Sequence, residues 1–496
     1  MTRTRIEDIT KAIEEGYRQF RAIMDSDPEP FFVDECYDLS GSEPPEDPEK
    51  RTEEETLEHL QMRMDVEPDG TDVGREEPSA GPMTDDPTGR IGMGDNLRYM
   101  NWLLKEKDMA GKIQLIYVDP PFFSGSRYQV SVQIESRKLG RSPVIRTGAY
   151  DDDWGNDLQE YLTMLAVRFY MMKELLSDRG CLWVHLDWHG AHYVKIMLDE
   201  IFGMDRLVNE VIWTYKSGGA SKRSFARKHD TLFFYSKTKD YKFNPIQEKS
   251  YNRQGKPYRF KGVEEFEDDG GWYTMVNMKD VWNIDMVGRT SSERMGYATQ
   301  KPEKLLARIV EACSDPGDIC ADFFAGTGTL GVVSSDLGRP WIMCDEGGVA
   351  VADQIYRMSS REGTFLVERP KKTGRPSKFP RAEVAFEDNY LRLADYRPDI
   401  SVVREEDRQI VLDYMMEDNL SLVRFWSCCE TGDASAPTAG GPSIHFSNRL
   451  LSRDDLHDIK SSGASIIGYD IFGGRFHVRM GSESIASTTE DVEDEV

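Results

Sequence analysis

Lys112-Ile-Gln-Leu-Ile-Tyr-Val-Asp-Pro-Pro-Phe122 is the stretch on which the fold of this 496-residue chain turns. Lys112 to Val118 reads as a strand buried on both faces: short, nearly continuous in apolar character, and rich in β-branched and aromatic side chains. It stops at Asp119. The two prolines that follow have fixed φ and no amide hydrogen, so the strand cannot continue and the chain makes a stiff turn. Open α/β sheets present their ligand sites at such carboxyl ends of buried strands.

Downstream, a helix is expected over Leu158–Leu176, a strand over Cys181–Leu186 and a helix over Ala191–Phe202. The alternation breaks between Arg206 and Met286. It resumes with a helix at Pro302–Cys313 and strands at Ile319–Phe323 and Trp341–Cys344. This rhythm predicts an α/β, doubly wound parallel sheet split by an insertion.

Charge is segregated along the chain. The net charge of −26 argues, taken whole, against a polyanionic partner. Residues 25–86, however, hold 22 acids against 4 bases, whereas residues 213–261 hold 13 Lys and Arg against 3 acids. Only the local field matters at an interface. Residues 6–24 carry apolar positions at helical spacing, and the acidic, Pro- and Gly-rich stretch to residue 88 reads as largely disordered, with Phe31–Val33 and Leu57–Met64 able to dock locally. The ordered body is expected to begin near Gly89. No apolar run reaches bilayer length and the start lacks a signal segment, so the expected location is cytoplasmic. Seven scattered cysteines without a CxxC pair predict neither a disulfide framework nor a zinc site.

Two motifs carry the chemistry. In Asp119-Pro120-Pro121-Phe122, the Asp119 carboxylate and the Pro120 carbonyl are acceptors suited to drawing an exocyclic amine toward tetrahedral geometry, and Phe122 offers a ring on which an extruded base can stack. In Asp322-Phe-Phe-Ala-Gly-Thr-Gly-Thr329, Gly326 and Gly328 let backbone approach a ligand where a strand gives way to a helix. A further strand ends at Asp345, placed to accept ribose hydroxyls, with Glu346 as its rival.

With Tyr297-Ala-Thr-Gln-Lys-Pro302 upstream of the glycine loop and Gly94-Asp-Asn-Leu97 before the first strand, these motifs resemble, in kind and in order, the beta-class DNA amino-methyltransferases, including Mod subunits of type III restriction systems. The resemblance spans roughly residues 89–360. It implies a Rossmann-like, S-adenosylmethionine-dependent methyltransferase fold with permuted motif order, acting on adenine N6 in DNA; Asp before Pro-Pro favours adenine over cytosine N4. It places Asp119, Pro120, Pro121 and Phe122 in catalysis and Asp95, Thr299, Lys301, Asp322, Phe324, Gly326, Gly328, Thr329 and Asp345 around the cofactor, without a metal. Phe122 stands where Tyr is commoner, and Phe123-Ser124-Gly125 where Asn-Thr-Gly is usual. The alternatives are N4-cytosine transfer and a non-catalytic recognition subunit.

The insertion interleaves bases with aromatics, which is the composition of a DNA-reading surface; Lys216, Lys222, Arg223, Arg227, Lys228, Lys256 and Arg259 are its candidates. Phe233–Tyr235 read instead as core. The implied layout is an N-terminal helix and acidic segment (1–88), the catalytic half of the core (89–205), an inserted target-recognition region (206–290), the cofactor half (291–360), a basic linker (361–381) whose Gly374-Arg375-Pro376 has the core of a minor-groove hook but reads first as a tether, and a C-terminal accessory region with an acidic tail (382–496). Double-stranded DNA is the expected partner, with a homodimer and a separate restriction or defence subunit as further candidates. No nuclease or helicase signature is present. His185, Asp187, His189 and His192 invite a metal reading, but their places at a strand end and a helix start assign them to structure.

Overall fold

The computed structural model describes residues 5–39, 87–136, 138–155, 157–216, 222–253, 255–288, 290–297, 299–370, 380–387, 390–430, 444–446, 457–458 and 464–480. Its strands in chain order are β1 (Phe31–Asp38), β2 (Gly89–Met93), β3 (Ile113–Val118), β4 (Arg127–Gln133), β5 (Val144–Asp151), β6 (Leu176–Leu186), β7 (Leu207–Thr214), β8 (His229–Ser236), β9 (Gln247–Tyr251), β10 (Phe266–Asp268), β11 (Gly271–Asn277) and β12 (Val281–Asn283). There follow β13 (Cys320–Asp322), β14 (Trp341–Asp345), β15 (Thr364–Pro370), β16 (Arg381–Glu387), β17 (Tyr390–Arg397), β18 (Val423–Glu430), β19 (Ile444–Phe446), β20 (His457–Asp458), β21 (Ala464–Asp470) and β22 (Arg475–Met480).

Eleven of these form one sheet in the order β12-β7-β8-β6-β3-β13-β14-β2-β15-β1-β19. Every neighbour from β6 through β15 is parallel, while β8 and β1 run antiparallel to the strands inward of them. The architecture is therefore mixed α/β around a parallel centre. Alternation along β3 sends Ile116 and Val118 into one core and Leu115 and Tyr117 into another. The first is covered by the helices Asn96–Glu106, Leu158–Leu175 and Ala191–Phe202, the second by Glu303–Cys313. After β3 the chain goes to β6 on one side; the neighbour on the other side, β13, comes 200 residues later. That switch of direction opens a crevice at the carboxyl ends of β3 and β13.

The structure departs from the sequence-based layout in two places. First, the ordered body includes residues before Gly89. The helix Arg5–Asp25 packs along Leu158–Leu175: a Cβ on Gly16 would lie 2.5 Å from that of Ala166, and Phe20 stacks on Tyr170 at 5.5 Å. The strand β1 lies inside the stretch read as acidic and disordered, and pairs with β15. Its Glu35 is fully buried but meets Arg475 Nε at 2.6 Å, Tyr469 Oη at 2.8 Å and Tyr37 Oη at 2.8 Å. Burial alone would raise its carboxyl; the two guanidiniums of Arg475 and Arg369 hold it below the usual range. Averaging over a 60-residue acidic segment hid an eight-residue strand. Leu57–Met64 lies outside the described residues.

Second, much of the inserted region is core. β7 and β8 extend the main sheet, and Trp213, Phe233, Phe234 and Tyr235 are all buried. What stands off the sheet is the β7–β8 connection and the small antiparallel sheet β10-β11-β9. Of the basic linker, Arg369 and Pro370 belong to β15; Lys372–Pro376 lies outside the described residues.

Beyond β15, two three-stranded sheets, β16-β17-β20 and β18-β21-β22, pack with the helix Arg408–Glu417. Their core, around Tyr396, Val411 and Trp426, also takes in Ile134 and Ile145 beside the β4–β5 hairpin. No described helix is long and apolar enough to cross a membrane.

Candidate active site

Asp119 follows β3 directly and lies beside the end of β13, where Leu115 pairs with Cys320 and Ile116 with Ala321. One of its carboxylate oxygens, Oδ2, forms an ion pair with Lys301 Nζ, which also donates to the Thr299 carbonyl at 3.1 Å. Lys301, expected beside a cofactor, is thus joined to Asp119 as well. The other oxygen, Oδ1, is buried and has no hydrogen-bond partner among the described residues. Leaving a buried acceptor unmade costs free energy, so such an atom calls for a functional explanation.

The turn after Asp119 is held by a residue that no sequence motif flagged. Asp152, fully buried, accepts from the amides of Phe122 (3.2 Å), Phe123 (3.0 Å) and Ser124 (2.8 Å), from the Ser124 hydroxyl (2.7 Å) and from Trp154 Nε1 (3.0 Å). Tyr161 Oη donates to the Pro121 carbonyl at 2.8 Å. The clamp holds Phe123 at φ 65°, a left-handed conformation costing a residue with a Cβ about 1–2 kcal/mol. The usual Asn at this place adopts it readily; Phe needs the charge-assisted bonds of Asp152. The only trace of this in the sequence is an acid-rich turn, Asp151-Asp-Asp-Trp154, ahead of a helix.

Phe122 stacks against His185 at 6.0 Å. His185 is itself buried, bridged by Tyr117 Oη at 2.8 Å and Asp230 at 3.2 Å. Burial would raise the Asp230 carboxyl, but the hydrogen bond and charge of His185 bring it below its ordinary value. This histidine is a strut behind the aromatic ring.

On the other side of Asp119 lies a cavity of ≈ 400 Å³ whose lining includes Asp95, Thr299, Lys301, Asp322, Phe324, Gly326, Thr329 and Asp345. Eight of the nine residues assigned to a cofactor thus surround one space. The ninth, Gly328, lies just behind: at φ 79° it starts the helix Thr329–Asp336, and a Cβ there would come within 2.9 Å of Gln354 Cγ and Met343 Sδ. Gly326, at φ 50°, would meet nothing within 4 Å. Asp322 accepts from the Phe324 amide at 2.9 Å, and burial pushes its carboxyl well up. The Thr329 hydroxyl donates to the Lys301 carbonyl at 3.2 Å.

Asp345, which lines the cavity, also has a structural task. Asp345 does not present an uncommitted carboxylate to a ribose: its two oxygens accept from the amides of Gly326 and Gly347, both at 2.8 Å, bracing the glycine loop. Burial pushes it up to about 6. The rival, Glu346, is exposed and lines the same cavity. Asp95 caps the helix Asn96–Glu106 through the Arg98 amide and pairs with Arg168 at 3.0 Å. Arg168 also donates to Asn96, which donates to the Phe323 carbonyl; sequence patterns flagged neither, because their link crosses 72 residues.

The candidate DNA contacts divide between two loops. Lys216, Lys222, Arg223, Arg227 and Lys228 belong to the β7–β8 connection, at the carboxyl edge of the sheet. Lys256 and Arg259 are exposed on the β9–β10 connection, where Glu265 accepts from the amides of Tyr258 and Arg259. Lys216 lies 3.5 Å from Asp285, and the Arg227 guanidinium sits 4.0 Å above the Trp188 ring. Among the described residues no group of three or more His, Cys, Asp or Glu is arranged to hold a metal ion.

Several known proteins are similar to this chain. Residues 113–355 match the family model described as DNA methylase. The type II methyltransferase M.EcaI of Enterobacter cloacae is 27% identical over 325 residues, covering 53% of this chain and 68% of that protein. The type II methyltransferase M.HinfI of Haemophilus influenzae is 27% identical over 244 residues, covering 46% and 58%. Among solved structures, the cytosine-N4-specific PvuII DNA methyltransferase superposes with a TM-score of 0.37 at 17% identity, covering 55% of this chain and 88% of its own. Residues 113–355, just under half of this chain, thus carry a DNA methylase domain.

Proposed function

We propose that this chain transfers a methyl group from S-adenosylmethionine to the exocyclic amine of adenine in double-stranded DNA, as the modification component of a restriction or phage-defence system. The observation that carries the reading is Asp119: one oxygen is gripped by Lys301, while the other is a buried acceptor with no hydrogen-bond partner among the described residues, between a base-sized aromatic turn and a cofactor-sized cavity.

The cavity suits the cofactor chemically. Phe324 offers apolar contact, the glycine loop a backbone approach, and Asp95 and Glu346 carboxylates for its amino and hydroxyl groups. When bound, S-adenosylmethionine supplies an electrophilic methyl on a sulfonium. The chain does the rest. An exocyclic amine is a poor nucleophile because its lone pair is delocalised into the ring; Asp119 Oδ1 accepts one amine hydrogen and the Pro120 carbonyl the other, holding the nitrogen nearer tetrahedral geometry for direct displacement. Lys301 fixes the carboxylate's rotamer. Phe122, backed by His185, stacks on the extruded base. Asp in front of Pro-Pro, where N4-cytosine enzymes commonly carry Ser, supports adenine over cytosine.

The test is modified-base sequencing of DNA from a methylation-free host expressing the chain. N6-methyladenine at one recurring sequence is expected, with transfer reduced by about 10³-fold or more in Asp119→Ala. Cytosine marks would overturn the choice of base, and marks that persist undiminished in Asp119→Ala would overturn the site.

A further inference from the structure

The two ends of the β7–β8 connection continue the pairing of those strands. Its base is closed by the Tyr215 amide donating to the Lys228 carbonyl at 3.2 Å and by the pairing of Thr214 with His229. That base is tied to the catalytic turn: Tyr215 Oη donates to Asp230 at 3.0 Å, Asp230 holds His185, and His185 stacks on Phe122. On its flank, Arg227 caps the exposed ring of Trp188, which lies tilted against His189 at 3.7 Å. The same Asp187–Gly190 turn backs onto the catalytic loop, since a Cβ on Gly190 would lie 3.1 Å from the Phe122 carbonyl.

On this base stands Phe225, 99% exposed, more than any other exposed large hydrophobic residue described. Its company is cationic: Lys222 and Arg223 precede it, Arg227 and Lys228 follow. A phenyl ring left in water beside four cations in the sequence gains no burial in the free protein. It suits a polyanion whose interior is a stack of flat apolar faces: the cations pair with phosphates and the ring enters the stack.

We infer that Phe225 is a wedge that enters the duplex beside the target base and fills the gap left when that base moves to Phe122 and Asp119. The inference rests on the proposed action on duplex DNA and adds the residue that makes extrusion possible. The cost of unpairing and unstacking is greatest when the target is paired and least for a mispaired or unpaired base.

The experiment compares the full chain with Phe225→Ala and Phe225→Leu on two duplexes carrying the mapped sequence, one fully paired and one with an abasic site opposite the target. Phe225→Ala is expected to lose about 10–100-fold in kcat/KM on the paired duplex and less than about 3-fold on the abasic one, with Phe225→Leu recovering much of the loss. With 2-aminopurine at the target position, the fluorescence rise on binding should fall in Phe225→Ala. Equal losses on both duplexes, or none on the paired one, would overturn the wedge. Failure of the unsubstituted chain to methylate either duplex would instead overturn the underlying reading, and the wedge with it.

Discussion

The two walls of the cavity are built differently. One wall, with Asp95, Phe324, Gly326 and Asp345, consists of loops that leave parallel strands and are fastened within a few residues or to the neighbouring strand end, as Asp345 fastens Gly326 and Gly347. The opposite wall, with Tyr150, Asp151 and Trp154, belongs to the β4–β5 hairpin and the turn behind it. That hairpin is gripped from the C-terminal region: Tyr414 Oη donates to the Arg141 carbonyl at 2.8 Å, the Arg146 amide donates to Asp407 at 3.0 Å, Ser136 bonds to Asp418, and Ile134 and Ile145 enter the C-terminal core. The first wall is a property of the sheet, the second of an assembly spanning some 280 residues. Perturbing the first should act on the methyl donor, perturbing the second on the base.

The sharpest way to separate them is at Gly328. Gly328→Val places branched carbons against Met343 and Gln354 at a left-handed φ, and is expected to weaken S-adenosylmethionine binding by about 100-fold or more, read by calorimetry. Asp152→Ala should do the reverse: cofactor affinity within a few-fold of the parent, but kcat lower by roughly 10–100-fold, about 1.4–2.7 kcal/mol, as Phe123 leaves its left-handed conformation. Equal losses of cofactor binding in both variants would dissolve the distinction. Smaller still, Ser136→Ala with Tyr414→Phe loosens the grip on the hairpin and should raise the KM for DNA by about 2–5-fold, leaving cofactor affinity unmoved.

The smallest effect concerns pH. Burial pushes Asp470, in the C-terminal region, up to about 7, against the bonds it accepts from Tyr396, Gly474 and Phe472. Because the folded value lies above the ordinary carboxylate range, the protonated form is favoured by folding. Its contribution is full below about pH 4 and is lost as pH rises through about 7. The melting temperature of the parent relative to Asp470→Asn should therefore fall between about pH 5 and 8; a constant difference would place the carboxyl at an ordinary value.

The same contrast explains what could be read from the chain alone. Asp119-Pro-Pro-Phe122, the glycine loop and Asp95 are legible because strand ends concentrate their chemistry in a few consecutive residues, and the parallel centre announces itself through nearly unbroken apolar strands. Asp152, Arg168 and the brace on the hairpin are not legible, since their partners lie 28 to 282 residues away. The bracing role of Asp345 is hidden for a related reason: a strand-ending acid can face a ligand, fasten a neighbouring loop or do both, and only the fold shows the fastening. β1 is legible only as a local docking segment, Phe31–Val33, because acids surround it and Glu35 is neutralised by Arg369 and Arg475, more than 330 residues away.

That neutralisation bears on biogenesis. Glu35 and its partner Arg475 are 440 residues apart, so at ribosomal rates of about 5–20 residues per second the strand synthesised first waits roughly 20 to 90 s for its counter-ion. Until β15 is made, Phe31 and Tyr37 have no neighbouring strand to pair with, and the nascent protein offers an unpaired edge to chaperones or to other copies of itself. This strand, one in from the edge, is made before both of its partners, β15 and β19, and is locked only once Arg475 has emerged.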